Sequence, residues 1–190
     1  MTNAELILVP THMEREAMFG DDPRVAVCGF GLAEAGARAA HAIATAATPP
    51  ARLVLAGLAG TYDAQAWPVG TAVVAGSVRC HGIGAGGLSP AGLGFSDHDV
   101  LRLAADGPEL LSVATASASP EQARERHDEY PEAALEEMEG FAVAVAAAAF
   151  GVPLVIVRGV SNAAGDRDQT GWRVAEAARA VRGAVAGARS

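Results

Sequence analysis

Cysteine is nearly absent from this chain: Cys28 and Cys80 are the only two in 190 residues, and neither belongs to a CxxC pair. That excludes a disulfide framework and makes structural zinc unexpected. Basic residues are also scarce, 14 Lys and Arg against 22 Asp and Glu, for a formal net charge of −8. A nucleic-acid partner would require clustered cations to displace phosphate counterions, so none is expected. Aromatic residues make up 5% of the chain and apolar residues 51%, so the core must be built from Ala, Val and Leu. No apolar run reaches the length of about 20 residues that spans a bilayer. The N-terminus Met1-Thr2-Asn3-Ala4-Glu5 lacks a basic region, and its apolar stretch stops at Pro10, unlike a secretory signal. A cytoplasmic protein with no membrane partner is expected. His12, His81 and His98 share no metal-ligand spacing, and His98 between Asp97 and Asp99 reads as a solvated cluster. Neither a metal nor another cofactor is expected.

The length suits one domain over 1–190. A strand over 6–9 leads to Pro10-Thr11, with Thr11 as N-cap of a short helix from His12. A strand over 24–28 is followed by Gly29-Phe30-Gly31 and a helix over 32–47. This turn suits a dinucleotide fingerprint or a close backbone approach to a small ligand. Glu34 stands in the third glycine slot, where it would crowd the helix and repel a pyrophosphate, so a nicotinamide cofactor is not expected. Further strands are expected over 52–58 and 110–114, with Ala59-Gly60-Thr61 as a turn and the glycine-rich stretch 80–99 as a loop. A helix is expected over 121–126 after the small turn from Thr115 to Pro120. A last helix over 171–187 carries Val174, Ala177, Ala178, Val181 and Val185 at helical spacing.

Two segments stand out. Leu135-Glu136-Glu137-Met138-Glu139-Gly140 is an acidic cluster running into an Ala-rich helix, which would hold a carboxylate at the helix's N-terminal edge. The nearly continuous apolar run over 152–160, ending in Ser161-Asn162, has the pattern of a parallel strand covered on both faces. Ligands gather at the carboxyl ends of such strands. Ser161 and Asn162 are therefore expected at a pocket within reach of Glu139.

Glu137-Met138-Glu139-Gly140, Arg158 to Asn162, Gly165-Asp166-Arg167-Asp168 and Trp172 together resemble the nucleoside phosphorylase and nucleosidase superfamily, and within it the futalosine hydrolase family. The resemblance is close over 111–180 and looser in the N-terminal half. It implies an α/β, three-layer fold with a central mixed, twisted, partly barrel-like sheet flanked by helices. It also implies cleavage of an N-ribosidic bond, with a nucleoside as partner and a homodimer or larger homo-oligomer as assembly. Glu16 matches the family glutamate that activates the attacking water. Gly31, Ala59, Gly60, Thr115 and Met138 match positions lining the substrate, and Phe30, Phe95, Phe141 and Trp172 are candidates to stack on the base.

N-glycosyl cleavage builds positive charge on the ribose and negative charge on the departing base. Glu139 would accept hydrogen bonds from ribose hydroxyls, and Asn162 would donate to the purine. An amide offers donors to N7 and O6 of a 6-oxopurine, whereas the aspartate of adenine-specific relatives accepts from a 6-amino group. Arg158 either orients a carboxylate through a bidentate contact or forms a structural ion pair. A glutamate near a phosphate dianion is unfavourable by several kcal/mol at intermediate dielectric, so Glu16 in the pocket favours water as nucleophile. Arg15, Arg24, Arg38 and Arg79 are the cations a phosphorylase would gather there. The expected reaction is therefore futalosine hydrolysis, with another purine nucleosidase, a phosphorylase or a non-catalytic nucleoside-binding relative as alternatives.

Overall fold

A computed structural model describes residues 5–96 and 99–187; the expectations for His98 and for the first four residues lie outside them. Strands β1 (Glu5–Val9), β3 (Arg52–Thr61) and β9 (Leu154–Ala163) form the centre, with β2 (Val25–Val27) outside β1. All of these pairings are parallel. Successive side chains of β1, β3 and β9 alternate between two buried faces. Leu8, Leu53, Leu55, Leu154 and Ile156 pack with α2 (Gly31–Thr45) and α4 (Gly140–Ala149) on one side. On the other, Ile7, Val54, Val155 and Val157 pack with Met18 of α1 (His12–Met18) and Val181 of α5 (Val174–Gly187). Burial on both faces is the physical reason these strands read as apolar runs.

The sheet bends back on itself. β4 (Ala72–Val74) pairs antiparallel with β9, and the chain turns through Ala75-Gly76 into β5 (Ser77–Cys80). β5 pairs with β7 (Glu109–Ser112), β7 with β8 (Ala133–Glu137), and β8 with the end of β3, closing a circuit. The bend depends on Gly76 and Gly107, since a Cβ on Gly107 would lie 2.1 Å from the Val74 carbonyl oxygen. β6 (Val100–Arg102) hangs on β5, and α3 (Pro120–Glu129) links β7 to β8. The mixed sheet flanked by helices agrees with the expected fold class.

Several expectations are corrected. Ala59-Gly60-Thr61 is not a turn: β3 runs to Thr61, with a register shift against β9 at Ala59/Gly60, and Gly60 and Thr61 pair with β9 on one side and β8 on the other. Residues 133–137 form the fully buried strand β8, because each of its acids meets donors on neighbouring elements. The stretch expected as loop over 80–99 is preceded by the short β5, and β6 follows it.

Candidate active site

Helix α1 begins where Thr11 caps it, its hydroxyl accepting from the Glu14 amide at 3.2 Å. Such a cap is worth about 1 kcal/mol. Glu14 folds back over the cap, accepting from the Thr11 hydroxyl at 2.7 Å and from the Leu58 amide at 2.9 Å. One helical turn on, Met18 shares its buried face. Glu16 lies on the opposite side, exposed, against a separate hollow with Met18, Arg24 and Arg182. Glu16 is therefore corrected as a site residue: the helix that starts at His12 turns it away and brings Glu14 in. The signal was in the sequence, since Thr-x-x-Glu is a capping-box spacing.

Strand β8 and the cap of α4 deliver three acids. Glu137 accepts from the amides of Glu139 and Gly140 at 3.0 and 2.7 Å, and from Ser112 Oγ and Arg158 Nη2 in short contacts. It thus satisfies the first turn of α4, where orphan amides favour an anion. A Cβ on Gly140 would lie 2.8 Å from Glu137 Oε1, so the Met-Glu-Gly sequence leaves room for this fold-back. Glu139 is the N-cap residue of α4 and is 3% exposed. It accepts from the Gly31 amide at 3.0 Å and from Arg158 Nη2 at 3.1 Å. Glu136 points to the opposite side, toward Ser117, Tyr62 and Arg126.

Arg158 is completely buried in mid-strand β9. One nitrogen, Nη2, serves both Glu137 and Glu139, while Nε and Nη1 are buried with no hydrogen-bond partner. The contact is a bridge between two carboxylates rather than a bidentate fork. Above Gly57, the point a Cβ would occupy lies 2.1 Å from Arg158 Nη1 and 3.1 Å from Glu14 Oε1. Glycine at 57 is thus required for the arginine and the third acid to approach. Burial pushes the Glu139 carboxyl up to about 7, against the pull of Arg158 and with a further push from Glu137. A buried acid titrating near neutrality in a cleft marks a candidate functional group.

Glu14, Glu137 and Glu139 line the floor of an open cleft of about 220 Å³. Of the expected site residues, Ala59, Gly60, Met138, Glu139 and Asn162 line it. Gly31, Arg158 and Ser161 stand behind that lining: Gly31 and Arg158 bond Glu139, and Ser161 Oγ lies 3.2 Å from the Ala59 carbonyl oxygen and 2.7 Å from Asn162 Oδ1. Thr115 is corrected: it is exposed and off the lining, where Val113 and Ala116 stand instead. Asn162 Nδ2 donates to the Ala163 carbonyl at 2.8 Å and, at a long 3.4 Å, to that of Asp166. Of the candidate aromatics, Phe30 and Trp172 line the cleft, Phe141 lies in an apolar groove between α2 and α4, and Phe95 is 84% exposed. Glu14, Glu136 and Glu137 are the lining acids that were missed.

The Glu34 side chain lies over Gly29, where a Cβ would stand 2.3 Å from its Cδ. Arg24 pairs with Asp22, Arg38 with Glu34 and Arg79 with Glu109, and none of them lines the cleft. Among the described residues, no group of His, Cys, Asp and Glu is arranged to hold a metal, and no helix is long and apolar enough to cross a membrane.

An acid-floored cleft at the ends of a bent mixed sheet defines the class, and comparison with known proteins places the chain within it. Residues 9–188 match the family model of the phosphorylase superfamily, and the chain belongs to that family. It is 37% identical over 182 residues to a futalosine hydrolase of Streptomyces coelicolor, a match covering 83% of this chain and 77% of that protein. The fold is similar to that of Helicobacter pylori futalosine hydrolase, with a TM-score of 0.78 and 15% identity over 96% of this chain and 95% of the other. A Colwellia psychrerythraea 5′-methylthioadenosine/S-adenosylhomocysteine nucleosidase solved with adenine superposes with a TM-score of 0.74 and 21% identity, over 95% of this chain and 90% of that one.

Proposed function

We propose that this chain is a futalosine hydrolase, a single catalytic domain that cleaves the N-ribosidic bond of futalosine with water. The products are hypoxanthine and dehypoxanthine futalosine, in menaquinone biosynthesis. The observation that carries the choice of water over phosphate is the floor of the cleft, lined by Glu14, Glu137 and Glu139, with the guanidinium of Arg158 behind them bonded to two of these acids. A phosphate dianion would meet acids there, at several kcal/mol of repulsion for a contact near 4 Å at intermediate dielectric.

In this reading Glu14, rather than Glu16, holds and deprotonates the attacking water. Its fixed bonds to Thr11 and Leu58 set its orientation, as a general base requires. Glu139 accepts hydrogen bonds from ribose hydroxyls, which strengthen as the sugar becomes cationic. Arg158 and Glu137 keep Glu139 oriented. The Asn162 amide exchanges its long bond to the Asp166 carbonyl for one to purine N7, and its donor character favours a 6-oxopurine. Phe30 and Trp172 supply aromatic surface.

Two free, buried cysteines and an acidic balance support a cytoplasmic enzyme. A homodimer is supported by the apolar groove between α2 and α4, where Ile83, Val145 and Phe150 are each nearly half exposed; exposed apolar surface of this kind favours association. The test of function is hypoxanthine release from futalosine without phosphate, with inosine and methylthioadenosine in parallel. Release from futalosine alone is expected. Release that requires phosphate would make the protein a phosphorylase, and binding without release would make it a nucleoside-binding relative.

A further inference from the structure

Arg167 is the one basic residue on the lining of the cleft among the described residues. Its guanidinium carbon stands 5.2 Å from the centre of the Trp172 ring, in cation–π contact. It makes no ion pair among the described residues, although acids flank it in sequence. Those acids are engaged elsewhere: Asp166 accepts from the Asp168 amide, and Asp168 accepts from both the amide and the hydroxyl of Thr170. Trp172 Nε1 is likewise buried without a hydrogen-bond partner.

The turn that carries this pair is held firmly. The Ala164 amide donates to the Thr61 carbonyl at 2.7 Å, and the Arg173 amide to that of Ser161 at 2.8 Å. Between them Gly165, at φ +81°, backs onto Ser119 so closely that a Cβ would stand 2.2 Å from the Ser119 carbonyl oxygen. Met13 and Phe30, 54% and 62% exposed, line the same cleft and add apolar surface. Arg167 itself is exposed, so the cation stands at the rim while the acids lie at the floor. A planar cation on an indole, beside apolar side chains, suits an anion borne on an aromatic ring. It suits a phosphate less well, because the acids below would repel a dianion.

We propose that Arg167 and Trp172 form a specificity subsite for an aromatic carboxylate carried by the nucleoside substrate, Arg167 pairing with the anion and the indole packing beside the ring. The inference rests on the futalosine hydrolase reading, since futalosine carries such an aromatic acid at the end remote from the base. Arg167 then selects the substrate without touching the bond that breaks.

The test compares futalosine with its neutral carboxamide analogue in steady-state base release by the whole chain. The wild type is expected to favour the carboxylate at least about tenfold in kcat/KM, mainly through KM, and the preference should shrink as salt is raised. Arg167→Gln should bring the ratio to about one, and Arg167→Lys should restore part of it, because a lysine keeps the charge but not the planar stack. Arg124→Gln, on the exposed face of α3, serves as the control for charge alone. A wild type indifferent to the carboxylate, or an Arg167→Gln variant that keeps the preference, overturns the subsite while leaving the hydrolase reading intact. A wild type that releases hypoxanthine from neither compound overturns the hydrolase reading and this inference with it.

Discussion

Two buried arginines flank strand β8, and they are satisfied to very different degrees. Arg126 pairs with Glu136 at 3.2 Å, and Glu136 also accepts from the Ser117 amide, the Ser117 hydroxyl and the Tyr62 hydroxyl. Arg158 answers to Glu137 and Glu139 through a single nitrogen, while its other two nitrogens are buried without partners. The acids involved are sequence neighbours, sent to opposite faces by the two-residue period of a strand. A closed network fixes geometry and has no capacity left for a ligand. One with more carboxylates than cations keeps a proton and hydrogen-bonding capacity in play. On the proposed function, the Arg126 cluster braces the part of the cleft wall that Glu136 lines, and the Arg158 cluster is its working floor.

The largest expected effects break this comparison on the Arg158 side. Glu14→Gln should lower hypoxanthine release by about 10²–10⁴-fold, the range for loss of a positioned general base. Glu139→Gln should lower it by roughly 10²–10³-fold, as for loss of one preorganised transition-state contact. Glu16→Gln should leave the rate unchanged. Steady-state kinetics on the three variants decide the matter, and a loss at Glu16 rather than Glu14 would overturn the assignment of the base.

Stability separates the clusters next. Arg126→Met and Arg158→Met should each be destabilising by about 3–5 kcal/mol in urea unfolding, because each strands a buried carboxylate. The paired replacements should diverge. Arg126→Met with Glu136→Leu removes both charges of a one-to-one pair, so it should recover part of the loss, although the Ser117 amide and hydroxyl lose their acceptor. Arg158→Met with Glu137→Leu leaves Glu139 buried and the amides of Glu139 and Gly140 without their acceptor, so it should recover little. Equal recovery in the two pairs would remove the distinction between bracing and working clusters.

Much of the centre was legible from the sequence. β1, β3 and β9 show themselves because burial on both faces demands continuous apolar residues, and Glu139 and Asn162 follow from their places at element ends. What was hidden is long-range. Residues 133–137 carry two acids in a buried strand, where the sequence shows only an acidic cluster running into a helix, because Ser112, Ser117, Arg126 and Arg158 surround it from distant elements. Which of Glu14 and Glu16 faces the cleft is a matter of helix phase, fixed by the Thr11 cap. Gly57 reads as an ordinary small residue of a strand, yet it makes room for Arg158 Nη1.

The smallest predicted effect tests whether the floor of the cleft is held under electrostatic tension. Glu139 titrates at about 7 in the folded chain, against an ordinary value of 4.5 for its free side chain. Between those values the folded state binds more protons than the unfolded state, so stability falls as pH rises from 4.5 through 7, and the deficit persists above. Glu139→Gln removes the ionisation. The melting temperature of that variant, relative to the wild type, should therefore be higher at pH 8 than at pH 5, whatever constant offset the lost contacts to Gly31 and Arg158 impose. Because the carboxylate is the form that accepts from ribose hydroxyls, wild-type kcat/KM should rise over the same interval and level off above pH 7. A melting-temperature difference that is flat with pH would mean that Arg158 alone keeps Glu139 ionised, and the contrast with the Arg126 cluster would reduce to one of hydrogen-bond count.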